Sequence, residues 1–580
     1  METSNVLREA QVRPVYDFVI VGGGACGCVL AARLSEDPNR TVLLLEAGGD
    51  DREVSDIAVP IRAPQLQLTE YDWQYKGVPQ ENAFKAFKNQ VCNIPRGKVL
   101  GGSGSINYMM FMRGTPHDFD TWKNMGCTGW GYADVLPYFI KSERCLADHL
   151  ADSDHRGTDG PTIVSEAKMT PFANVFVEAG KAMGYPGTDC NGPNPLGFMV
   201  VQSNIGDGVR QSSSKVYLRS ALGRDNLHVV THCHVTKVIT DNRIARAVEY
   251  VRTSSRQTYT VRARQEILLC GGVVGSAQIL MLSGIGPADH LRSLGIDVVA
   301  DLPVGENFQD HVGVVGLEFE IDKPYSALPQ DVESQDTMDR YEKLRAGPRA
   351  TNTLDAVGLI RTEAQSPGNP NPDINFTNFC LLQGAGDVPS LKNMTEMKDE
   401  VWEAIFGGNR GKHGFTVFMY ATHPKSRGTI RLRDSDPNSH PLIDHKALSH
   451  PDDVKTLVAG IKILLKLVQT KPMKEIGARF TSRILPGYTK TPFTDEYWEE
   501  FVRSLTFMTY HPSGSCRMGR ARDATTVVDP QLRVKGVERL RVVDASIMPQ
   551  ITAANLYAPS IMIAEKAADM IKRKGPQSNL

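Results

Sequence analysis

Apolar runs separated by glycine-rich turns set the pattern of the first fifty residues. The run 16–21 is short, apolar and β-rich, which is typical of a strand buried in a parallel sheet. It passes through the turn 22–27 into an Ala/Leu-rich helical stretch that ends near Leu34, and a second apolar run, 41–45, stops at Glu46. This order and a length of roughly 30 residues predict a strand–helix–strand unit.

Later segments predict further strands and helices of an α/β protein. Residues 229–238 alternate between apolar and polar positions and are β-rich, which favours a strand. The apolar run 266–270 predicts another buried strand, followed by a helix near 276–282. Residues 541–544 predict a late strand, which a loop connects to a helix around 560–572.

Composition places the chain among ordinary globular proteins. Of 580 residues, 41% are hydrophobic and 23% are charged, and the formal net charge is −1. Disorder requires low hydrophobicity with high net charge, and bulk attraction to nucleic acid requires a positive excess, so the composition argues against both. At ~150 residues per domain the length suggests several domains. Ten cysteines are too dilute for a disulfide scaffold.

The sequence shows no targeting pattern. The N-terminal residues contain no apolar core of a signal peptide, and no run approaches the roughly 20 apolar residues that cross a bilayer. We therefore expect no membrane span. We expect a cytoplasmic protein, or a secreted one if a signal was removed before this numbering begins.

The turn after the first strand carries a dinucleotide-binding pattern. In Gly22-x-Gly24-x-x-Gly27 the first glycine permits a tight turn, the second lets the backbone approach a pyrophosphate, and the third allows close helix–strand packing. Glu46 ends the second strand about 20 residues further on, where a carboxylate can accept hydrogen bonds from ribose hydroxyls. Because a carboxylate there disfavours a 2′-phosphate, the pattern predicts FAD or NAD and leaves that choice open.

Longer motifs follow in the rest of the chain. In order, they are Gly97-Lys98-Val99-Leu100-Gly101-Gly102-Ser103-Gly104-Ser105-Ile106-Asn107, Gly272-Val273-Val274-Gly275-Ser276-Ala277, Tyr510-His511-Pro512-Ser513-Gly514-Ser515-Cys516-Arg517-Met518-Gly519 and Val543-Asp544-Ala545-Ser546-Ile547-Met548-Pro549. Together they resemble the glucose–methanol–choline (GMC) oxidoreductases over about residues 15–573, with the animal, arthropod-type branch nearest in character. The second motif departs from the family pattern at Val273, where Ala is usual, and at Ala277, where Pro is usual.

The resemblance implies a fold class and a domain organisation. The fold is α/β, with a Rossmann-like FAD-binding domain interwoven with a substrate-binding domain built on an antiparallel sheet with helices. Residues 15–313 form the N-terminal region, which carries most of the FAD-binding domain. Residues 314–420 form a variable segment of the substrate domain, and residues 421–567 form a C-terminal region with the catalytic pair.

FAD is the cofactor that the resemblance implies. The residues that it places against FAD are Gly22, Gly24, Gly27, Glu46, Ala47, Gly101, Gly102, Ser105, Asn107, Met109, Val235, Asp544, Ala545 and Leu556. Among these, Val235 belongs at the adenine end and Asn107 at the flavin end. Some family members bond FAD covalently to a histidine just before that asparagine. This chain has Ile106 there, so we expect FAD to be held noncovalently.

The resemblance also assigns a catalytic pair, His511 and Asn555. Alcohol oxidation needs a base for the hydroxyl proton, and a neutral imidazole suits that role. An asparagine can donate a hydrogen bond to the substrate oxygen and stabilise its alkoxide character. The loop 552–557 departs from the commoner Ser-Gly-Asn-Thr-Asn pattern, because Tyr557 stands where the second Asn is usual. We expect Tyr557 to narrow or redirect the pocket beside the flavin; plain packing is the alternative.

Residues near the catalytic motifs indicate the kind of substrate. Tyr108, Met110, Tyr510 and Tyr557 are expected to line an apolar or aromatic pocket. This favours a small apolar or aromatic alcohol, including cyanohydrin-type alcohols, whose hydride passes to the flavin and whose electrons reach O2 or a quinone-type acceptor. An FAD-containing hydroxynitrile lyase on the same fold is the alternative. A binding protein on a degenerate flavoenzyme fold is a third reading, against which the intact His511 and Asn555 argue.

No metal site is predicted. His232 and His234 alternate on the predicted strand 229–238, so both would point to one face and could supply half of a site. No CxxC or HExxH motif completes it. Cys26 and Cys28 lie about 200° apart around the first helix, so their thiols point away from each other.

Overall fold

Two β-sheets with packed helices make up the part of the chain that the computed structural model describes, which is residues 12–166, 169–253, 255–386, 392, 394–481 and 483–573. The helices of eight or more residues are α1 (Ala25–Leu34), α2 (Pro116–Asn124), α3 (Tyr132–Ser142), α4 (Phe172–Ala182), α5 (Gly272–Leu282), α6 (Gln335–Leu344), α7 (Asp399–Phe406), α8 (Pro451–Val468), α9 (Asp495–Ser504) and α10 (Tyr557–Arg573). Shorter helices are Ser55–Ala58, Arg219–Ala221, Ala288–Ser293, Pro329–Glu333 and Lys471–Glu475.

The strands divide between the two sheets. In chain order they are β1 (Val15–Val21), β2 (Val42–Leu45), β3 (Gly197–Val200), β4 (Leu227–Val230), β5 (Cys233–Asp241), β6 (Ile244–Arg252), β7 (Thr258–Leu269), β8 (Val312–Val314), β9 (Glu318–Glu320), β10 (Leu354–Ile360), β11 (Ile374–Phe379), β12 (Gly414–Ala421), β13 (Arg479–Phe480), β14 (Thr506–Met508) and β15 (Leu540–Val542). Two-stranded pairs add Tyr75–Lys76 with Asn93–Ile94, Glu143–Cys145 with Thr162–Val164, Ile205–Gly206 with Val209–Arg210, Ile285–Gly286 with Ala300–Asp301, and Thr429–Arg431 with Leu442–Asp444.

The first sheet has the order β4-β2-β1-β7-β6-β5, and β15 pairs with the end of β7. The pairs β4–β2, β2–β1, β1–β7 and β7–β15 are parallel, whereas β7–β6 and β6–β5 are antiparallel. All four residues of β2 and the last four of β1 are buried, as a parallel strand covered on both faces requires. Because β15 joins strands from the first half of the chain, this domain is assembled from distant segments.

The second sheet is antiparallel and has the order β13-β9-β12-β11-β10-β3, with β8 pairing both β12 and β14. Every residue of β10 and β11 is buried. The α/β class and the interweaving of a Rossmann-like unit with an antiparallel substrate domain are therefore confirmed. No described helix has the length and apolarity that a bilayer crossing needs.

The predicted strand 229–238 is two strands in the structure. β4 and β5 are separated at Thr231 and His232, and His232 has a φ of 56°. The left-handed conformation ends the strand, so His232 and His234 do not share one face of a single strand. The prediction was wrong here because alternation alone does not reveal a turn between two apolar runs.

Candidate active site

One cavity is lined by residues from both sheets. One end lies against the turn after β1 and the helix α5. The other end lies against β10, β11 and β12. The cavity therefore extends from the predicted dinucleotide-binding turn to the second sheet.

Glycines bring backbone close to backbone at the first end. A Cβ on Gly27 would lie 1.9 Å from the carbonyl oxygen of Gly22, so only glycine allows α1 to begin this close to β1. Gly24 faces open space, because a Cβ there would meet only Gly102, at 3.8 Å. The N-terminus of α1 has no side-chain cap and no acidic residue in its first turn. Its unpaired amides and positive dipole end can receive an anionic pyrophosphate.

Two carboxylates flank this end of the cavity. Glu46 accepts hydrogen bonds from the backbone N–H groups of Gly23 (2.6 Å) and Gly48 (2.8 Å), and burial raises its pKa to about 7. Asp544 accepts from the Gly272 N–H at 3.0 Å and from the Ser276 hydroxyl at 2.6 Å. Asp544 thus ties the start of α5 to the end of β15, while the remaining acceptor capacity of Glu46 is available to hydroxyl groups.

The structure brings most of the predicted cofactor residues together around the cavity. Those that line it are Gly22, Gly24, Glu46, Ala47, Gly102, Asn107, Met109, Val235, Asp544, Ala545 and Leu556. The remaining three predicted residues do not line the cavity; they are Gly27, Gly101 and Ser105. Gly101 has a φ of 86°, which glycine adopts without strain, and Ser105 donates its hydroxyl to the Leu100 carbonyl at 2.7 Å. These three residues shape the turns instead of facing the cavity.

His511 and Asn555 both line the cavity and contact each other. The Asn555 side-chain Nδ2 lies 2.9 Å from His511 Nε2. The preceding Tyr510 has a φ of 65°, a conformation that costs a bulky residue about 1–3 kcal/mol. Two contacts hold this loop, since Arg96 donates to the Tyr510 carbonyl at 2.6 Å and the His511 N–H donates to Asp310 at 2.8 Å. The imidazole is therefore held in place through its backbone.

A second histidine, His311, fixes the tautomer of His511. His311 Nε2 lies 2.8 Å from the Thr552 carbonyl oxygen, which can only accept, so Nε2 carries the proton. In a neutral ring, His311 Nδ1 is then an acceptor, and it lies 2.9 Å from His511 Nδ1. His511 therefore carries its proton on Nδ1 and presents a lone pair on Nε2, facing the Asn555 amide donor.

The two rings are neutral because both are buried. Burial lowers the pKa of His311 to about 3. Burial, together with the nearby His311 and Arg96, lowers the pKa of His511 well below its usual range. The Thr509 hydroxyl lies 2.7 Å from His511 Nδ1 and shares that proton with His311. The lone pair on His511 Nε2 is thus available for a proton at neutral pH.

Sequence reasoning missed His311 and Thr509. The antiparallel register pairs Val312 of β8 with Met508 of β14, which places His311 beside Thr509 and so beside His511. The one local sign of His311 in the sequence is a histidine that stands directly before a buried strand. That sign does not reveal which strand pairs with β8. Two hundred residues separate the two histidines.

Five aromatic side chains, Tyr108, Phe379, Phe418, Phe507 and Tyr510, form the other end of the cavity wall; we name them the aromatic arc. Consecutive members have ring centroids 6.1, 4.5, 5.3 and 5.2 Å apart. The predicted pocket residues Tyr108 and Tyr510 belong to the arc, and Met110 also lines the cavity.

The predicted pocket residue Tyr557 also lines the cavity. Its ring packs on Gly104, where a Cβ would lie 2.7 Å from the Tyr557 Cε2 atom. Its hydroxyl donates to the Gln211 carbonyl at 2.9 Å.

Sequence models of GMC oxidoreductases match residues 16–313 and 424–564 of the chain. The chain belongs to the GMC oxidoreductase family. It is 36% identical to the glucose dehydrogenase [FAD, quinone] of Drosophila melanogaster over 96% of this chain and 87% of that protein. It is 38% identical to human mitochondrial choline dehydrogenase over 97% of this chain and 91% of that protein. The crystal structure of pyridoxine 4-oxidase from Mesorbium loti superposes with a TM-score of 0.80 at 29% identity, covering 97% of this chain and all of that one.

As a GMC oxidoreductase the protein is an FAD-dependent enzyme that acts on CH–OH groups. The prediction of the family, of FAD and of the enzyme class is confirmed. The cavity fits this cofactor, because it combines a glycine cradle, an uncapped helix N-terminus and the buried Glu46. Among the described residues, no group of three side chains could hold a metal ion.

Proposed function

We propose that this GMC oxidoreductase oxidises a small, uncharged, apolar or aromatic alcohol to a carbonyl, with His511 as base and Asn555 as hydrogen-bonding partner. The observation that carries the proposal is the aromatic arc beside His511, whose Nε2 is an acceptor next to Asn555, with both residues lining the cavity. The pair and the arc lie on one continuous wall, so a substrate ring on the arc brings its hydroxyl to His511.

The chain's own residues handle the proton. His511 Nε2 accepts the hydroxyl proton of the substrate, and His311 and Thr509 accept hydrogen bonds from the Nδ1 proton of the resulting imidazolium. Asn555 Nδ2 donates to the substrate oxygen as it gains alkoxide character. When bound, FAD supplies the acceptor for the hydride that leaves the carbinol carbon. We further propose that FAD is held noncovalently, because Ile106 carries no nucleophile.

The charge distribution of the cavity supports an uncharged substrate. In the described part of the chain its charged lining residues, leaving histidines aside, are Glu46, Arg96 and Asp544. Both carboxylates lie at the cofactor end, engaged with backbone N–H groups around the turns of β1 and α5. Among the residues that the structure describes, no carboxylate lines the cavity beside the aromatic arc, so a cationic alcohol such as choline would find aromatic faces there but no counter-ion from these residues.

The test is a comparison of kcat/KM for three alcohols: benzyl alcohol, choline and glucose. We expect benzyl alcohol to be preferred by at least tenfold. Preference for choline or glucose would contradict the proposed substrate class while leaving the family assignment intact. Phe418→Ala should weaken the preference by raising KM for benzyl alcohol. The matched control is Phe493→Ala, which removes an exposed aromatic ring outside the cavity.

The same assay separates the two electron acceptors. A peroxide assay run beside reduction of a quinone-type dye tells an oxidase from a dehydrogenase. The lyase alternative predicts turnover of a cyanohydrin with an unchanged flavin absorption band. Bleaching of that band on anaerobic addition of the alcohol would exclude the lyase for that substrate. The named relatives are dehydrogenases and an oxidase, so they do not favour the lyase.

A further inference from the structure

Arg210 is a buried cation whose hydrogen bonds to described residues all go to neutral oxygens. It lies on the short hairpin Ile205–Gly206 with Val209–Arg210 and is 2% exposed. Its Nε donates to the Ile57 carbonyl at 2.8 Å, and its Nη1 donates to the carbonyls of Gly104 and Asn107 at 3.3 and 2.6 Å. Its Nη2 has no partner among the described residues.

The position of this cation matters because its partners form the cavity wall. Gly104 and Asn107 both line the cavity, on the segment that follows the Gly101 turn. Burial lowers the pKa of Arg210 to about 9, which still leaves the side chain protonated at neutral pH. A buried charge without a counter-ion is unfavourable, so a purely structural role would be served better by an apolar side chain.

The contacts of Arg210 also fix the orientation of the Asn107 amide. Asn107 Oδ1 lies 2.8 Å from Arg210 Nη1 and 3.0 Å from the Met109 backbone nitrogen. Arg210 Nη1 and the Met109 N–H can only donate hydrogen bonds, so the Asn107 side-chain atom that faces them is the oxygen. This determines the orientation of the Asn107 amide group. Asn107 Nδ2 is therefore the amide atom that faces away from these donors. It has no hydrogen-bond partner among the described residues, and Asn107 lines the cavity.

We infer that Arg210 is a positioning residue of the flavin site. It holds Asn107 so that Nδ2 donates into the cavity, and it supplies the positive charge that stabilises the negative charge arriving there with a hydride. The cation acts through one layer of wall residues, where the low dielectric makes its field strong. The inference rests on FAD binding and not on the identity of the alcohol.

The test measures the two-electron midpoint potential of the bound flavin by reduction in equilibrium with a reference dye. Arg210→Met keeps the length of the side chain and removes the charge. We expect its potential to fall by about 30 mV or more, which is a tenfold loss in the equilibrium for reduction. Lys237→Met removes an equal charge from an exposed site and should leave the potential unchanged.

A double-mutant cycle separates positioning from a simple charge effect. If Arg210 acts partly through Asn107, the effects of Arg210→Met and Asn107→Ala on the potential and on FAD affinity will not add. Arg210→Lys should match the wild type where its ammonium is protonated and approach the Met variant as the pH rises, because buried lysines lose their proton readily.

Two results would overturn the inference. One is an FAD-loaded Arg210→Met with the wild-type potential. The other is a set of additive effects in the cycle. If Arg210→Met does not retain FAD, the same potential is measured for Arg210→Lys at high pH and for Asn107→Ala. Wild-type potentials in both variants would show that neither residue tunes the flavin. None of these readouts depends on turnover.

Discussion

The two ends of the cavity are built from different parts of the chain. At the cofactor end the backbone forms the wall, and a Cβ on Gly27 or on Gly97 would lie 1.9 or 2.2 Å from a carbonyl oxygen. At the substrate end side chains form the wall, and the aromatic arc comes from four separate segments. Glycine spacing specifies the first end, so dinucleotide binding is encoded locally. Sheet pairing specifies the second, so substrate preference is encoded at long range.

The largest expected effect is the loss of bound FAD after a substitution at the cofactor end. In Gly27→Ala the new methyl group would overlap the Gly22 carbonyl, so α1 must shift away from β1. We expect at least a tenfold loss of flavin absorbance per purified protein. Gly223→Ala is the matched control, since a Cβ at Gly223 meets nothing within 4 Å. Full retention of FAD by Gly27→Ala would show that the close approach is not required.

The next effect separates turnover from cofactor binding. His511→Ala should lower kcat/KM by about 10²–10⁴-fold, which is the usual contribution of a general base, and leave the FAD content unchanged. His290→Ala provides the control, because His290 lies outside the cavity and accepts a hydrogen bond from the Leu432 N–H. A fully active His511→Ala would remove His511 from the role of base.

This contrast explains what the sequence could and could not predict. Strand β1, helix α1 and the turn between them follow from local apolar spacing and glycine positions, and the structure has them within a residue or two. His511 and Asn555 were found through motifs that resemble a family, not through physics alone. His311 was missed because only the register of β8 with β14 brings it to His511, and register depends on long-range pairing that no local pattern carries.

Substitutions of His311 test the part of the site that depends on long-range strand pairing. His311→Leu removes the acceptor that keeps the His511 proton on Nδ1, so kcat should fall by about 10- to 100-fold with KM little changed. His311→Gln should recover part of kcat, because an amide can donate to Thr552 and accept from His511 at once. Equal losses in both variants would indicate a packing role only.

The pH dependence of protein stability should also test whether His311 and His511 are buried and neutral. The folded pKa values of His311 and His511 lie below the unfolded value near 6.5, so their contribution to stability is complete above pH 6.5 and is lost as the pH falls toward the folded values. For each buried neutral histidine, the free energy of unfolding of the protein falls by about 1.4 kcal/mol per pH unit below 6.5. The melting temperature of the wild type should therefore fall faster than that of His311→Leu between pH 6.5 and 5. Parallel curves would contradict the buried, neutral state.

The smallest effect concerns Tyr557. Its ring belongs to the first turn of α10, packs on Gly104 and lines the cavity, so Tyr557→Asn should open space beside the flavin-facing wall. We expect bulkier alcohols to gain relative to smaller ones by about tenfold at most, as for a modest change in pocket volume. Tyr557→Phe keeps the ring and removes only the hydrogen bond to Gln211, so it should retain the wild-type ranking. If Tyr557→Asn keeps that ranking as well, the ring is a packing residue, and substrate preference is set by the aromatic arc without help from the cofactor end.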